Sequence, residues 1–320
     1  MEDNSNTDHK PLVSVIIPAF KVAPFIRETL DSVLGQTFTD HEVIVINDGS
    51  PDTDELESAL QQYLDRIVYL KQGNQGAGAA RNAGLRRATG EFVAFLDGDD
   101  VWLPCFLRDQ LHLIESDNGY DLVYADAINI GDPSSEGSTS MSTNPSRGAV
   151  TFEALITGQC SVLTSAVLAR RKLIMDVGLF DEGLPNSQDF DLWLRLVRDA
   201  NARVTYQRKV LVRRRIYPGS LAADPKKSLA GELKVLEKTS LRSDLTSAEK
   251  ATIERIAAVR RGTIELARGK DELASEDFAA AIASFERANR YLHSRKLGMV
   301  LLGLRIAPRT IRRIHSWRPT

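Results

Sequence analysis

Three carboxylates, Asp97, Asp99 and Asp100, fall within the pentapeptide LDGDD (Leu96–Asp100), directly after the apolar run EFVAF. Crowded at the end of a strand, they repel one another unless a cation stands among them. Asp97 and Asp99, two residues apart, can both reach a hard divalent ion such as Mg2+ or Mn2+, which prefers carboxylate and phosphate oxygens. The competing reading is an acidic turn in which Asp100 caps the next helix. The run begins one residue past a strand, on the rim where open α/β sheets bind ligands, and that position favours the metal.

A second group lies in VINDGSPD (Val45–Asp52), again after an apolar run. Asp48 is placed to accept from a nucleobase N–H, and Gly49 and Ser50 make the turn that follows; a purely structural turn is the competing reading. The third group is GNQGAGAARNAGL (Gly73–Leu85). Its glycines, Gly76 among them, allow close backbone approach, and Arg81 and Asn82 fall one or two turns into a helix that can face phosphate. A dinucleotide fingerprint is excluded by the glycine spacing and by the position after the third strand rather than the first.

The elements that must hold these groups are legible as alternating runs. VSVIIP, EVIVIND, RIVYLKQ, EFVAFLD and DLVYAD are nearly continuous in apolar residues, as strands covered on both faces are, and helical patterns separate them. The fold class is α/β, with a mixed, mainly parallel sheet whose carboxyl ends share one rim. Asp52 with Glu55 predicts a capping box, and Arg86, Arg87 and Gly90 mark a helix end. Residues 131–147, rich in Gly, Pro, Ser and Thr, predict a mobile loop. SQDFDLWLRLVRDA predicts an amphipathic helix with Phe190, Leu194 and Val197 on its apolar face, and the stretch from Arg203 to Ile216 predicts strands. Past Asp224 the composition turns to Ala, Leu, Glu, Lys and Arg in helical periodicity, which divides the chain into a tail at 1–11, a catalytic domain at 12–225 and a helical region at 226–320. Within the last, FAAAIASFERAN looks like one helix of a tetratricopeptide unit, but a single copy predicts a plain helical hairpin.

SVIIPAF, VINDGS, the pattern N-x-G-x-G-x-A-R-N over Asn74–Asn82, LDGDD and QDFDLWLR occur in one order. Together they resemble the family-two inverting glycosyltransferases, of the GT-A nucleotide-diphospho-sugar transferase fold, over about Pro11 to Ser220. The resemblance implies a uridine or related nucleotide held by Asp48 and the turn of Pro18 and Phe20, with Gly76, Arg81, Asp97 and Gly98 completing the nucleotide-sugar site. It implies Mn2+ or Mg2+ held by Asp97 and Asp99, a catalytic base at Asp189, and sugar contacts from Gln188 and Trp193. A buried Trp193 on an amphipathic helix is the competing reading for the last. The chain departs from the family at three places: Lys21 stands where Asn is usual, Gln188 where Glu precedes the base, and Tyr217 where a His often occurs. Gln188 cannot ionise, which concentrates the base role on Asp189. Asp191 competes for that role but points to another side of its helix.

Inverting transfer is a direct displacement at the anomeric carbon. The nucleoside diphosphate leaves with growing negative charge, which a divalent cation stabilises, while a positioned base takes the acceptor proton. The expected partners are a nucleotide-diphospho-sugar, UDP-sugar favoured, and a glycan or lipid-linked acceptor of cell-surface polysaccharide or glycolipid synthesis. A nucleotidyltransferase, the nearest rival enzyme, calls for a glycine- and basic-rich loop after the first strand, and PAFKVAPF has no glycine. A non-catalytic nucleotide-sugar binding module is the rival from another class.

Composition sets outer limits. The 42% hydrophobic and 26% charged residues are ordinary for a folded globular chain. Cys105 and Cys160 have no paired spacing, the opening is polar and acidic, and no apolar run spans a bilayer, so a cytoplasmic protein without a leader or spanning helix is expected. No nucleic-acid motif accompanies the basic residues. The net charge of −2 is unevenly spread, because after Glu286 there are nine Lys or Arg and no acid, leaving −11 for the rest. In KLGMVLLGLRIAPRTIRRIHSW, Leu297, Val300, Leu301, Leu304, Ile311 and Ile314 recur at spacings of three and four beside Arg305, Arg309, Arg312 and Arg313. This predicts a helix lying in anionic headgroups at the inner face of the plasma membrane, with Trp317 as anchor. The alternative is a face packed on the helical region or on a second subunit.

Overall fold

The computed structural model of the chain describes residues 10–116, 119–220 and 223–314. It divides into two compact units, one ending at Ala223 and one beginning at Asp224.

The first unit runs β1 (Val13–Ala19), α1 (Ile26–Leu34), β2 (His41–Asp48), α2 (Thr53–Leu60), β3 (Val68–Gln72), α3 (Ala77–Arg87), β4 (Phe92–Phe95), β5 (Val101–Trp102) and α4 (Phe106–Ile114). It continues with β6 (Leu122–Ile130), α5 (Ser140–Thr143), α6 (Phe152–Thr157), β7 (Val167–Arg170), α7 (Arg171–Asp176), α8 (Gln188–Asp199) and β8 (Val204–Arg215). Eight strands form one sheet in the order β3-β2-β1-β4-β7-β6-β8-β5. β1 to β4 are parallel, so Ala19, Asp48, Gln72 and Phe95 end on one rim; β7 runs antiparallel to both β4 and β6, and β5 antiparallel to β8. The sheet is therefore mixed, the parallel half carrying the crossover helices.

Both faces of the parallel half are covered, which is why its strands are apolar at consecutive positions. Val13, Val15 and Ile17 join Ile26, Leu30 and Leu56 in one core cluster. On the other face α3 approaches so closely that a Cβ on Gly84 would stand 2.5 Å from Ile16 Cγ2 and 3.0 Å from Ile46 Cδ1.

Several local expectations are corrected. The capping box at Asp52 and Glu55 does not form: Asp52 precedes α2 without capping it. Its carboxylate instead accepts from Ala23 N–H at 3.1 Å and from the Ser50 hydroxyl, because the loop after β1 competes for it. The loop at 131–147 is tied down, with α5 started by a reciprocal Thr139–Ser142 cap, Met141 buried and Met141 N–H bonded to Asp126. The buried face of α8 is built from Gln188, Asp191, Leu192, Trp193, Leu194 and Leu196, while Phe190 and Val197 are half-buried. The region after Arg203 forms one 12-residue strand, β8, not several. Cys105 and Cys160 are free thiols.

The second unit is helical: α9 (Pro225–Ser240), α10 (Ser247–Ala274), α11 (Phe278–Leu292), α12 (Arg295–Ile306) and α13 (Pro308–Ile314). α10 and α11 form an antiparallel hairpin. They cross closely at Gly262, against Leu292 and Tyr291, and at Gly269, where a Cβ would stand 2.6 Å from the Phe285 ring. Leu297, Leu301 and Leu304 pack with Leu273, Ala281, Phe285 and Ala288, and Val300 and Ile311 lean on that cluster. The face expected to lie in headgroups is thus the core of this unit. Trp317 lies outside the described residues, as do the side chains of Arg313 and Ile314, the last part of the basic tail and most of the segment 1–11. Among the described residues no helix is long and apolar enough to cross a membrane.

Candidate active site

The LDGDD turn is fastened from several sides. Asp100 N–H donates to Asp97 O at 3.0 Å, and the buried Thr29 hydroxyl of α1 reaches Gly98 O at 3.0 Å and Asp100 O at 2.8 Å. Gly98 is required by the backbone of the β1 turn, since a Cβ there would lie 3.0 Å from Pro18 O and 2.9 Å from Val22 Cγ2. Pro18 and Gly98 therefore meet at the rim.

The three carboxylates differ in what they can do. Asp100 is 4% exposed and caps no helix; it accepts from Arg215 N–H at 2.8 Å and fastens β8 to the turn. Burial, and then the charges of Asp99 and Asp97, push its carboxyl up to about 8. Asp99 accepts from the Tyr217 hydroxyl, and burial followed by the Asp97 charge pushes it up to about 6. Burial and the neighbouring Asp99 raise Tyr217 in turn, so its phenol stays a donor. Asp97 remains 39% exposed in its side chain and pairs with Arg81 Nη2 through Oδ1 at 2.6 Å, while its N–H donates to Ser165 Oγ at 3.2 Å. Among the described residues no three His, Cys, Asp or Glu side chains are grouped to hold a metal unaided. Asp97 and Asp99 nevertheless suit a hard ion, because Mg2+-like sites commonly use one or two carboxylates with phosphate and water.

Arg81, expected at phosphate, is held by an acidic partner of the chain itself. It is 6% exposed, bound to Asp97 and set over the Phe180 ring at 5.6 Å, which orients the acidic turn. Asn82 is also structural, bonded to both the N–H and the carbonyl of Phe180.

At the end of β2, Asp48 is buried. Its Oδ1 accepts from Gln72 Nε2 at 2.8 Å and Gln75 N–H at 3.0 Å, and its Oδ2 from Gly76 N–H at 2.8 Å. A carboxylate has about four acceptor positions, so one remains, on Oδ2. Gly49, with φ 61° and a would-be Cβ 2.5 Å from Asn74 N, lets the same loop close. The Phe20 ring is partly exposed, and Lys21 follows in the left-handed region with its N–H on Ser50 Oγ at 2.6 Å.

Asp189 opens α8. Its Oδ2 accepts from the buried Thr164 hydroxyl at 2.7 Å and its Oδ1 from Phe190 N–H at 2.8 Å. Thr164 and Ser165 are consecutive residues of the turn Thr164–Ala166, and Ser165 holds both the Asp97 N–H and, through its carbonyl, Trp102 Nε1 at 2.7 Å. One dipeptide thus fastens Asp189 on one side and the acidic turn on the other. Asp191 is buried and paired with Arg195 Nε at 2.8 Å, and Arg195 binds Val177 O and Leu179 O, each at 2.6 Å. Gln188 is buried against Gly78, 3.1 Å from where a Cβ would stand. Trp193, expected at sugar or in the core, is 3% exposed, edge-on to Phe180 and against the apolar space lined by Leu122, Val150, Leu155 and Leu196, with its indole Nε1 unpartnered.

Thr164, Ser165 and Thr29 are the residues that sequence reasoning missed. Their signal is only a hydroxyl pair before a short strand and a threonine within an apolar helix, neither of which names a carboxylate partner.

A profile described as Glycosyl transferase family 2 matches residues 14–176. An uncharacterized glycosyltransferase of Rickettsia felis is 31% identical over 216 residues, covering 65% of this chain and 34% of that protein, so the match extends over about a third of that relative. Residues 1-349 of S. aureus TarS in complex with UDP-GlcNAc superpose at a TM-score of 0.60 with 20% identity, covering 96% of this chain and 93% of that one. The mannosyltransferase PcManGT from Pyrobaculum calidifontis, in complex with GDP-Man and Mn2+, gives 0.60 with 17% identity, covering 97% and 88%. At these identities the structural likeness is one of fold.

Proposed function

The chain belongs to glycosyl transferase family 2, and from that premise we propose that this glycosyltransferase moves a sugar, with inversion, from a nucleotide-diphospho-sugar to an acceptor hydroxyl, Asp189 serving as base. The observation that carries this reading is the Thr164–Ser165 turn, which ties a half-exposed carboxylate to the acidic turn at the mouth of the sheet. A displacement needs both charges at once: an acceptor for the incoming proton, and a site that tolerates the leaving diphosphate.

In this reading the nucleobase lies between the Phe20 ring and the open position on Asp48 Oδ2, and a uridine N–H suits that acceptor. UDP is accordingly the favoured nucleotide, the class bound by TarS. Asp97 and Asp99 would hold Mn2+ or Mg2+, which when bound neutralises charge on the departing diphosphate. Arg81 fixes Asp97 Oδ1 and leaves its Oδ2 directed elsewhere. Asp189 takes the proton as the acceptor oxygen forms its bond to the anomeric carbon and the bond to the diphosphate oxygen breaks. Thr164 and the Phe190 amide hold the carboxylate in place during this step. The acceptor class favoured is a glycan or lipid-linked sugar of cell-surface polysaccharide or glycolipid synthesis.

The test is a panel of nucleotide sugars with Mn2+ and candidate acceptors, read by released nucleoside diphosphate and by the anomeric configuration of the product. Diphosphate release with inversion supports the reading. Pyrophosphate release would mean a nucleotidyltransferase, and saturable nucleotide-sugar binding without turnover would mean a binding module.

A further inference from the structure

The helical unit leaves one apolar face uncovered. Among the described residues eight large hydrophobic side chains are exposed, and three of them, Met299 at 67%, Leu302 at 61% and Ile306 at 76%, belong to α12. Spacings of three and four put them on a single stripe, which Arg295 begins at the amino end. The opposite side of α12, Leu297, Leu301 and Leu304, is the unit's own core. The helix is therefore apolar on both sides, although only one side is packed, and such a helix has a second partner.

The charge around the stripe says which partner. Arg295, Lys296, Arg305 and Arg309 are all exposed, and the sequence has no acidic residue after Glu286. Glu286 itself is matched by Arg305, and Glu276 by Arg312. A second copy docked face to face here, through the same helix, would bring like charges together. The stripe also offers three large apolar side chains, against about 20–30 residues and about 800 Å² per partner in a standard protein interface. An anionic bilayer needs neither a matching acidic surface on a protein nor that area, since apolar side chains enter the headgroup layer while the cations meet phosphate.

We propose that the outward face of α12, through Met299, Leu302 and Ile306 with Arg295, Lys296 and Arg309 beside them, docks the chain on an anionic membrane surface. This differs from a tail whose Leu297–Leu301–Leu304 face enters lipid, because that face stays packed. The proposal is independent of the catalytic reading.

The test is co-sedimentation of the full chain with phosphatidylcholine vesicles, with and without phosphatidylglycerol, and light scattering of the protein alone. Wild type should sediment with the anionic vesicles and be released in high salt. Met299→Ser with Leu302→Ser and Ile306→Ser should cut the bound fraction at least tenfold without changing the melting curve. Arg295→Glu with Lys296→Glu and Arg309→Glu should do the same, and these surface changes keep the test decisive should the serine variant fold poorly. Wild type failing to bind, or either folded variant binding like wild type, overturns the proposal. So does a wild-type dimer that the serine variant dissolves, which would make the face a self-association surface.

Discussion

Asp189 is served by two donors, and they can be removed separately from its charge. Asp189→Asn keeps the side chain's shape and loses the proton acceptor, so kcat should fall by about 10²–10⁴ while donor affinity holds. Stopped-turnover assays and donor titration check this together, and Asp191→Asn proving the more damaging in a folded protein would refute the assignment. Thr164→Val should lower kcat by roughly tenfold or more, because hydrogen bonds to charged groups contribute about 1.5–3 kcal/mol. KM for the donor should stay, and Thr164→Ser should restore the rate. Asp99→Ala, like excess chelator, should abolish turnover and weaken nucleoside-diphosphate binding; full activity in chelator would sink the metal assignment. The carboxylates were legible because acids crowded after a strand have few structural uses. Thr164 and Ser165 were not, because their partners lie 25 and 68 residues away along the chain and a hydroxyl pair has no spacing rule. The pairing of Arg81 with Asp97 was hidden for a related reason: a basic side chain near a helix start suits phosphate and carboxylate equally, and only the fold brings Asp97 within 2.6 Å.

At the scale of elements, β1 to β4 and β6 could be read from five apolar runs, whereas β7 and β5 could not. Four and two residues long respectively, they are set by pairing with β4, β6 and β8 and not by local pattern. Close packing of α3 is testable at Gly84. Alanine there gains up to about 1 kcal/mol in helix propensity, yet overpacking against Ile16 and Ile46 costs about 1–3 kcal/mol, so Gly84→Ala should be net destabilising in denaturant titration. The start of β2 carries a pH-dependent tie. Burial raises the Glu42 carboxyl, but bonds from Thr89 and Ser14 outweigh it and hold it below its ordinary 4.5. A depressed carboxyl stabilises the fold above its unfolded value, and that stabilisation is lost as pH falls through the lower folded value. The melting temperature of Glu42→Gln should therefore lie below wild type at neutral pH, and the gap should close as pH drops below about 4.5. An unchanged gap at low pH would count against the tie.

For the whole molecule, the two core clusters among the described residues each draw on one unit, which predicts that heating shows two transitions and not one. Gly269→Ala, crowding Phe285, should lower the transition of the helical unit and spare the other, with turnover retained at moderate temperature. A single calorimetric peak shifting as a whole would contradict this. The unit boundary was visible as a change of composition; which side of α12 faces outward was not, since both sides are apolar and only the hairpin's shape selects one. The placement of the tryptophans gives the experimenter something further. Of the chain's three, Trp102 and Trp193 are buried in the first unit and none lies among the described residues of the second. Indole emission is therefore weighted toward the catalytic half, while far-ultraviolet dichroism follows the helices of both. Because Trp102 Nε1 is bonded to Ser165 O, inside the turn that joins the two acidic groups, a change of indole emission during donor titration would report on that turn without an attached dye.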